Sequence, residues 1–550
     1  MAKKDIKDKA INWMEDWSNL KIFKNKNIKE ILEYGGISLW WFIHPVLYFN
    51  IESIIRKIEK NENLSKEKID KKIKVLFGPL FLNLKDKIRR KEPKLKKVSH
   101  IKNKKILIIS STRYWGEVGA LISGKKEKGD ILFDAIIKEL KNQNFDVVCV
   151  DVDYNNKINL NILKEKLEKK WIPFEIYTPK KITLKAKLEI IKLKQIWVQL
   201  KKSNLFKDSL KYKEIRLWPL LKLRFEQIFS DSCIYRYIKI IETAENMIDK
   251  ENPSCILMSF ETGYYSLSSI LIARERKIPS IGIQHGVISS SSQVYIRNKT
   301  TRSLRSLDCP IPDKLAVYGK YTKNLLTKRS HYPNDSVIIT GQPRYDSLRK
   351  IDKELTRKNF FNKYSLNLNK KTVLITTQAL NNFKERDDFL RNVIRSLKQI
   401  NGIQIIIKPK PDEDVNFHKK ILKEEKTVGT IIPKTSNIYE AINSADLIIT
   451  VYSTTALEAM ILKKNVLIIN LGGERDQIPY VESGAALGVY KVEKILPTLK
   501  RMLNSKRPNK NLSKKRERFV YEQIYKNDGK STKRVVNLIK SLLSKSNEKS

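Results

Sequence analysis

The sequence predicts an α/β protein in which two parallel-sheet domains face a cleft. Two observations carry this. Short apolar runs ending in small polar residues recur along the chain, and stretches of helical period separate most of them. Buried strands alternating with helices imply parallel sheets covered on both faces. The series also begins twice, near residues 105 and 313, with a break between, so two Rossmann-like domains are expected. A chain of 550 residues with 41% hydrophobic content can bury two cores plus helical additions.

Residues 1–104 read as an amphipathic helical extension that ends in a basic run, 85–104, expected as a linker or exposed helix. Its most apolar part, Ile37 to Ile51, is too short to span a bilayer and is interrupted by His44-Pro45. A buried helix pair is the expected form, with an interfacial aromatic anchor from Trp40 to Phe49 as the alternative. The first domain is expected over 105–312. It opens with a strand at 105–110, a helix at 130–143 and a strand at 145–151. Long Lys- and Leu-rich patterns over 155–250 read as a helical insertion. A strand at 254–259, a helix at 265–276 and a strand at 280–284 resume the alternation. The second domain is expected over 313–490, with strands at 314–318, 337–340, 372–376, 403–408, 429–432, 446–451 and 465–470. Residues 491–550 read as basic helices and a frayed tail.

The formal charge of +49 is mostly lysine. It fits a solvated coat set by composition, or attraction to an anionic membrane surface or phosphate-rich substrate. No nucleic-acid module accompanies it, so nucleic acid is excluded as a partner. Cys149, Cys233, Cys255 and Cys309 form no CxxC pair, which argues against a zinc site and a disulfide framework. No metal and no cofactor are predicted. The first residues show no apolar leader, so the expected location is cytoplasmic, with peripheral attachment to the inner membrane face as an option.

Ligands of open α/β sheets bind at the carboxyl ends of strands, so residues just after strands are the candidates. His285 and Gly286 follow one strand of the first domain and Glu261 follows another. A carboxylate and an imidazole on one rim suit acid–base work or ligand binding, ahead of the alternative of a histidine satisfied by loop backbone and a glutamate at a helix N-terminus. In Thr340-Gly-Gln-Pro-Arg-Tyr-Asp346, Arg344 suits a phosphate and Asp346 suits a helix cap. Thr376-Thr-Gln378 offers hydroxyls, an amide and backbone N–H groups to a diphosphate. Lys408 and Lys410 stand at a proline-ended strand, either at the rim or simply solvated. Most specific is Tyr452-Ser-Thr-Thr-Ala-Leu-Glu458. Ser453, Thr454 and Thr455 open a helix whose N-terminus attracts phosphate, and Glu458 suits ribose hydroxyls. A capping box of Thr455 and Glu458 fits too.

In order and placement, Gln284-His-Gly286, Gly341-Gln-Pro-Arg-Tyr-Asp346, Lys408-Pro-Lys-Pro411 and Ser453-Thr-Thr-Ala-Leu-Glu458 resemble the GT-B-fold transferases of surface-polymer synthesis. The likeness is to the CDP-glycerol glycerophosphotransferase-like and the capsule or surface-carbohydrate glycosyltransferase families, and Gly35 to Trp41 resembles a segment ahead of some of these enzymes. The resemblance implies a nucleotide-sugar or CDP-alditol donor held by the second domain, a glycan or lipid-linked acceptor held by the first, and no metal. It implies a catalytic or diphosphate-side role for His285 and a ribose contact for Glu458. Those families often carry His-Pro where this chain has Lys410-Pro411, which favours glycosyl transfer over alditol-phosphate transfer. The UDP-N-acetylglucosamine 2-epimerases share the fold and a turn like Thr340 to Pro343. They rank behind, because their serine–glycine-rich stretch is not seen near Ser453. A non-catalytic glycan- or nucleotide-binding scaffold is the remaining alternative.

Overall fold

The structure is a computed structural model that describes residues 6–64, 88–89, 104–118, 127–154, 159–180, 183–290, 292, 294–296, 300–302, 308–378, 383–410, 413–473, 476–504 and 510–547. Two parallel sheets organise it. The first is built from β1 (Lys105–Ser111), β4 (Asp146–Val152), β5 (Trp171–Pro173), β6 (Cys255–Ser259), β7 (Ser280–Ile283), β8 (Lys314–Val317) and β9 (Val337–Ile339). A small antiparallel hairpin, β2 (Trp115–Val118) and β3 (Glu127–Asp130), stands apart from it. The order across the sheet is β9-β8-β7-β6-β1-β4-β5, all parallel. The second sheet contains β10 (Lys371–Thr376), β11 (Ile403–Lys408), β12 (Thr430–Ile431), β13 (Leu447–Thr450), β14 (Asn465–Ile469) and β15 (Leu487–Val489). Its order is β12-β11-β10-β13-β14-β15, again all parallel.

The strands form where the sequence is apolar on both faces. Along β1, Leu107 and Ile109 enter one core while Ile106 and Ile108 enter the other, the period-two alternation of a sheet buried between layers. The first core also gathers the helices Ile6–Asn19, Trp40–Glu59, Leu184–Leu200, Trp218–Ile228 and Asp231–Glu251 around Trp17, Trp40, Trp197 and Phe225. The second core packs Asp134–Asn142 and the far C-terminal helix Ser531–Asn547 on the opposite face.

Several expectations are corrected. The boundary at 313 falls too early, because β8 pairs with β7 and β9 with β8, which makes 314–317 and 337–339 part of the first sheet. Strand periodicity marks that a strand exists but not which sheet receives it. The insertion over 155–250 is not wholly helical, since β5 lies within it and extends the first sheet. Residues 491–550 are not an appendage. Helix Ile495–Asn504 seats Ile495, Leu499 and Leu503 on the second sheet, and helix Lys510–Ile524 adds Phe519 and Ile524 to that domain's other core. Helix Ser531–Asn547 then returns to the first domain through Val535, Val536, Ile539 and Leu543.

Most of the basic run 85–104 lies outside the described residues. Arg89, within it, is buried, with Nη2 2.8 Å from Asp151 and Nε 2.8 Å from Glu175. The Trp40–Phe49 segment is one stretch of a single helix containing Pro45, not a helix pair. Trp40, Trp41, Phe42, Ile43, Leu47 and Tyr48 are all buried, so the apolar side chains that would anchor a membrane serve the core instead, and only Phe49 is largely exposed. Among the described residues no helix is long and apolar enough to cross a membrane.

Candidate functional site

The order of the first sheet reverses between β1 and β6, where the Ser110 and Ser259 hydroxyls lie 3.3 Å apart. This is where an open α/β sheet parts to admit a ligand. Arg113 and Tyr114 follow β1, Phe260 and Glu261 follow β6, and His285 follows β7. Phe260 takes φ +51, a left-handed backbone that turns the chain sharply after the strand. Glu261 is buried, and neither carboxylate oxygen completes a hydrogen bond of ordinary geometry among the described residues. Burial raises its pKa to about 7, opposed in part by its own backbone and by the Tyr295 hydroxyl. Gly282 permits this arrangement, because a side chain there would meet Leu315 and the Glu261 stem.

His285 is placed by a clamp. Gln284 accepts the Tyr318 N–H at 2.8 Å and donates to the Gly286 carbonyl at 2.7 Å, which fixes the turn on either side of the imidazole. The ring sits among Phe260 at 5.3 Å, Tyr114 at 5.8 Å and Tyr295 at 6.5 Å between centroids, with the Tyr295 hydroxyl 3.5 Å from Nδ1. Burial lowers its pKa to about 4, and the charges of Arg113 and Arg344 push the same way. The imidazole is therefore neutral at physiological pH, able to donate one hydrogen bond or to accept one. The space beside Gly286 is open.

The second sheet reverses between β10 and β13, and Gln378 closes that point by accepting the Tyr452 N–H at 2.7 Å. Ser453 caps the helix Thr454–Ile461, its oxygen accepting the Thr455 N–H at 3.1 Å and its hydroxyl donating to Thr455 Oγ1 at 2.9 Å. The Tyr480 hydroxyl pins the Ser453 carbonyl at 2.9 Å. The expected capping box of Thr455 and Glu458 does not form, because Ser453 holds the cap and Glu458 lies beyond the first turn. Glu458 is hydrogen-bonded to Arg344 instead, beside Tyr318, Tyr345 and Tyr439. Two residues expected to bind different parts of a donor thus bind each other here. Burial raises the Glu458 pKa although Arg344 opposes it, and its carboxylate neighbour favours the charged form of Arg344. The field at Tyr318 includes both Glu458 and Glu261, and Arg344 acts on His285, so the two sets of residues are electrostatic neighbours.

A family model described as UDP-N-acetylglucosamine 2-epimerase matches residues 225–540, more than half of the chain. The protein belongs to that family. This corrects the ranking drawn from the motifs, which put the transferase families ahead of the 2-epimerases. An uncharacterized protein of Methanocaldococcus jannaschii is 26% identical over 221 residues, so the match spans 36% of this chain and 36% of that curated relative. Among solved structures, the Staphylococcus aureus MnaA complex with UDP is 15% identical with TM-score 0.48, covering 80% of this chain and 97% of its own. The Neisseria meningitidis UDP-GlcNAc 2-epimerase bound to UDP-GlcNAc is 16% identical with TM-score 0.47, covering 80% and 100%. The wall teichoic acid polymerase TagF soaked with CDPG is 13% identical with TM-score 0.44, covering 82% and 90%.

The first 224 residues, and with them β1, β4 and the helical extension, lie outside the span matched by the 2-epimerase family. Within the matched span the lysine pair separates. Lys408 is buried, donates to the Lys434 carbonyl at 2.5 Å, and burial lowers its pKa to about 8, whereas Lys410 is exposed. Lys408 therefore does not stand free at the rim. Asp346 does cap a helix, but not the next one. It accepts the Ser531 N–H at 3.0 Å and the Thr532 N–H and hydroxyl at 2.8 Å each, at the start of the C-terminal helix. Sequence reasoning missed Arg113 and Tyr114, although the strand-end rule would have found them after β1. It also missed Glu413, which takes the Thr377 hydroxyl, accepts the Lys410 N–H at 3.2 Å and lies 3.5 Å from buried His418. That group ties the loops after β10 and β11 together, and no strand end announced it. Also unanticipated were the Tyr114 hydroxyl beside His285, the Tyr154 hydroxyl beside Phe260 and Thr262 Oγ1, all buried and completing no hydrogen bond of ordinary geometry among the described residues.

Proposed function

We propose that the protein breaks the sugar–diphosphate bond of a UDP-linked N-acetylhexosamine and inverts C2 of the sugar. The observation that carries this is Glu261, a buried carboxylate whose pKa is raised to about 7, at the end of the strand next to the one that carries the neutral His285. C2 of such a sugar has no neighbouring carbonyl, so its proton leaves readily only as the diphosphate departs from C1 and a C1–C2 double bond forms. Return of a proton to the opposite face and re-addition of diphosphate gives the epimer. Glu261 near neutrality suits the proton transfer, and His285 suits a hydrogen bond to the departing diphosphate. The Ser453-capped helix, Thr454 and Thr455 supply N–H groups for the phosphates. Arg344 turns from Glu458 to the diphosphate as Glu458 takes up the ribose, and Gln378 and Lys410 border the same strand ends.

The test is incubation with UDP-N-acetylglucosamine in deuterium oxide, followed by proton NMR. Deuterium at C2 and a second C2 stereoisomer are expected, and a donor whose C2 proton never exchanges sinks the reading. A second reading, glycosyl transfer to a glycan or lipid-linked acceptor, is favoured by the 224 residues outside the family match. It predicts acceptor-dependent release of nucleotide with no label at C2. A CDP-alditol donor belongs to the same comparison and would release CMP.

A further inference from the structure

The helix Leu184–Leu200 has two apolar faces. Ala186, Leu193, Trp197 and Leu200 are buried, with Trp197 stacked on Phe229 at 4.8 Å. At 100° per residue these positions share one side. Leu184, Leu188, Ile191 and Val198 share the opposite side, at spacings of four, three and seven, and they are exposed by 71%, 57%, 53% and 46%. Exposed Lys187 and Lys194 border the stripe on one flank and exposed Lys192 on the other. The helices Asn204–Ser209 and Trp218–Ile228 join the same aromatic cluster, and each also exposes a leucine, Leu205 and Leu223. A soluble protein exposes single apolar residues freely, but a ruled stripe bordered by lysine marks a contact surface.

We infer that this face seats the protein on an anionic lipid bilayer. Charge selects the occupant. Between 184 and 228 the chain carries eleven basic residues besides the buried Arg224 against four acidic ones, a steeper ratio than the 109 to 60 of the whole protein. A second copy of so basic a face is repelled, whereas anionic headgroups neutralise it. The stripe enters the acyl boundary while the flanking lysines reach outward to the phosphates. The helix also lies outside residues 225–540, the part of the chain matched by the family model. The aromatic segment Trp40–Phe49 cannot take this role, since it is core.

The experiment is flotation of the full-length protein with vesicles of neutral phosphatidylcholine, or with about 30 mol% phosphatidylglycerol added. Binding to the anionic vesicles should exceed that to the neutral ones by about tenfold or more, and should fall in high salt. The double variant Leu188→Glu/Ile191→Glu should lose about tenfold or more, with Leu355→Glu on the second domain as a control that keeps wild-type binding. Lys187→Ala should lose about fivefold, which separates loss of charge from loss of apolar contact. All the substituted side chains are exposed, and an unchanged thermal melt certifies the fold. Equal binding to both vesicle types, wild-type binding by the double variant, or a concentration-dependent dimer in sedimentation that the double variant abolishes would each overturn the assignment.

Discussion

Replacing Glu458 by Leu should cost about 3 kcal/mol of stability, and replacing Arg344 as well should restore most of it. The two side chains bond to each other beside Tyr318, Tyr345 and Tyr439, with Glu458 4% exposed and Arg344 17%. Breaking a buried pair from one side leaves a charge without compensation, at about 3–5 kcal/mol. A sixth of Arg344 still meets solvent, so the lower end applies. Arg344→Met should cost less, because burial already raises the Glu458 pKa and the abandoned carboxylate can take up a proton. The double variant Arg344→Met/Glu458→Leu removes both charges and should lie within about 1 kcal/mol of wild type. The assay is urea unfolding of all four proteins, with slopes compared so that only midpoint changes are read as stability. Costs that add to within about 0.5 kcal/mol would refute the coupling and with it the picture of Arg344 and Glu458 as each other's partner.

Three further outcomes are expected. Asp346→Ala should cost about 1–2 kcal/mol through loss of the cap and should speed amide hydrogen exchange over 531–547, with Asp346→Asn intermediate. Glu261 binds its proton more tightly folded than unfolded, so wild-type stability should fall as pH rises from about 4.5 to 7, whereas Glu261→Gln lacks this decline and should be more stable by up to about 3 kcal/mol at pH 8 in urea unfolding. His285→Ala should lower turnover by about 10²–10⁴-fold with nucleotide binding retained in a thermal-shift assay, and the limb that Glu261 gives the rate near pH 7 should keep its position in the variant, because the imidazole is already neutral there.

The strands were legible because runs such as Ile106–Ile109 and Ile405–Ile407 are buried on both faces, and few other structures accept such runs. Their assignment to sheets was not, since β8 and β9 join β7 through pairing that leaves no local trace. Glu261 and His285 could be named because a strand end is a local feature. The bond between Arg344 and Glu458 spans 114 residues, and Asp346 reaches its helix across 185. Both partners in each case were visible as polar residues at turns, but nothing in either segment names the other. The aromatic rings around His285, those of Tyr114, Phe260 and Tyr295, come from three separate stretches, and aromatic residues in such places look like ordinary core until the fold assembles them.

The return of the C-terminal helix to the first sheet constrains how the protein is made. Lys104, just ahead of β1, donates to the Leu543 carbonyl 439 residues later, and Val535, Val536, Ile539 and Leu543 complete the layer over Ile106 and Ile108. At about 5–20 residues per second, ribosomes leave roughly 20–90 s between these partners. Throughout that interval the face of the first sheet stays partly uncovered, with its isoleucines open to solvent. The first domain thus cannot finish folding before the second has been synthesised. A nascent chain stalled after β15 should be held by chaperones, and its maturation should depend on release of the last helix rather than on completion of either sheet.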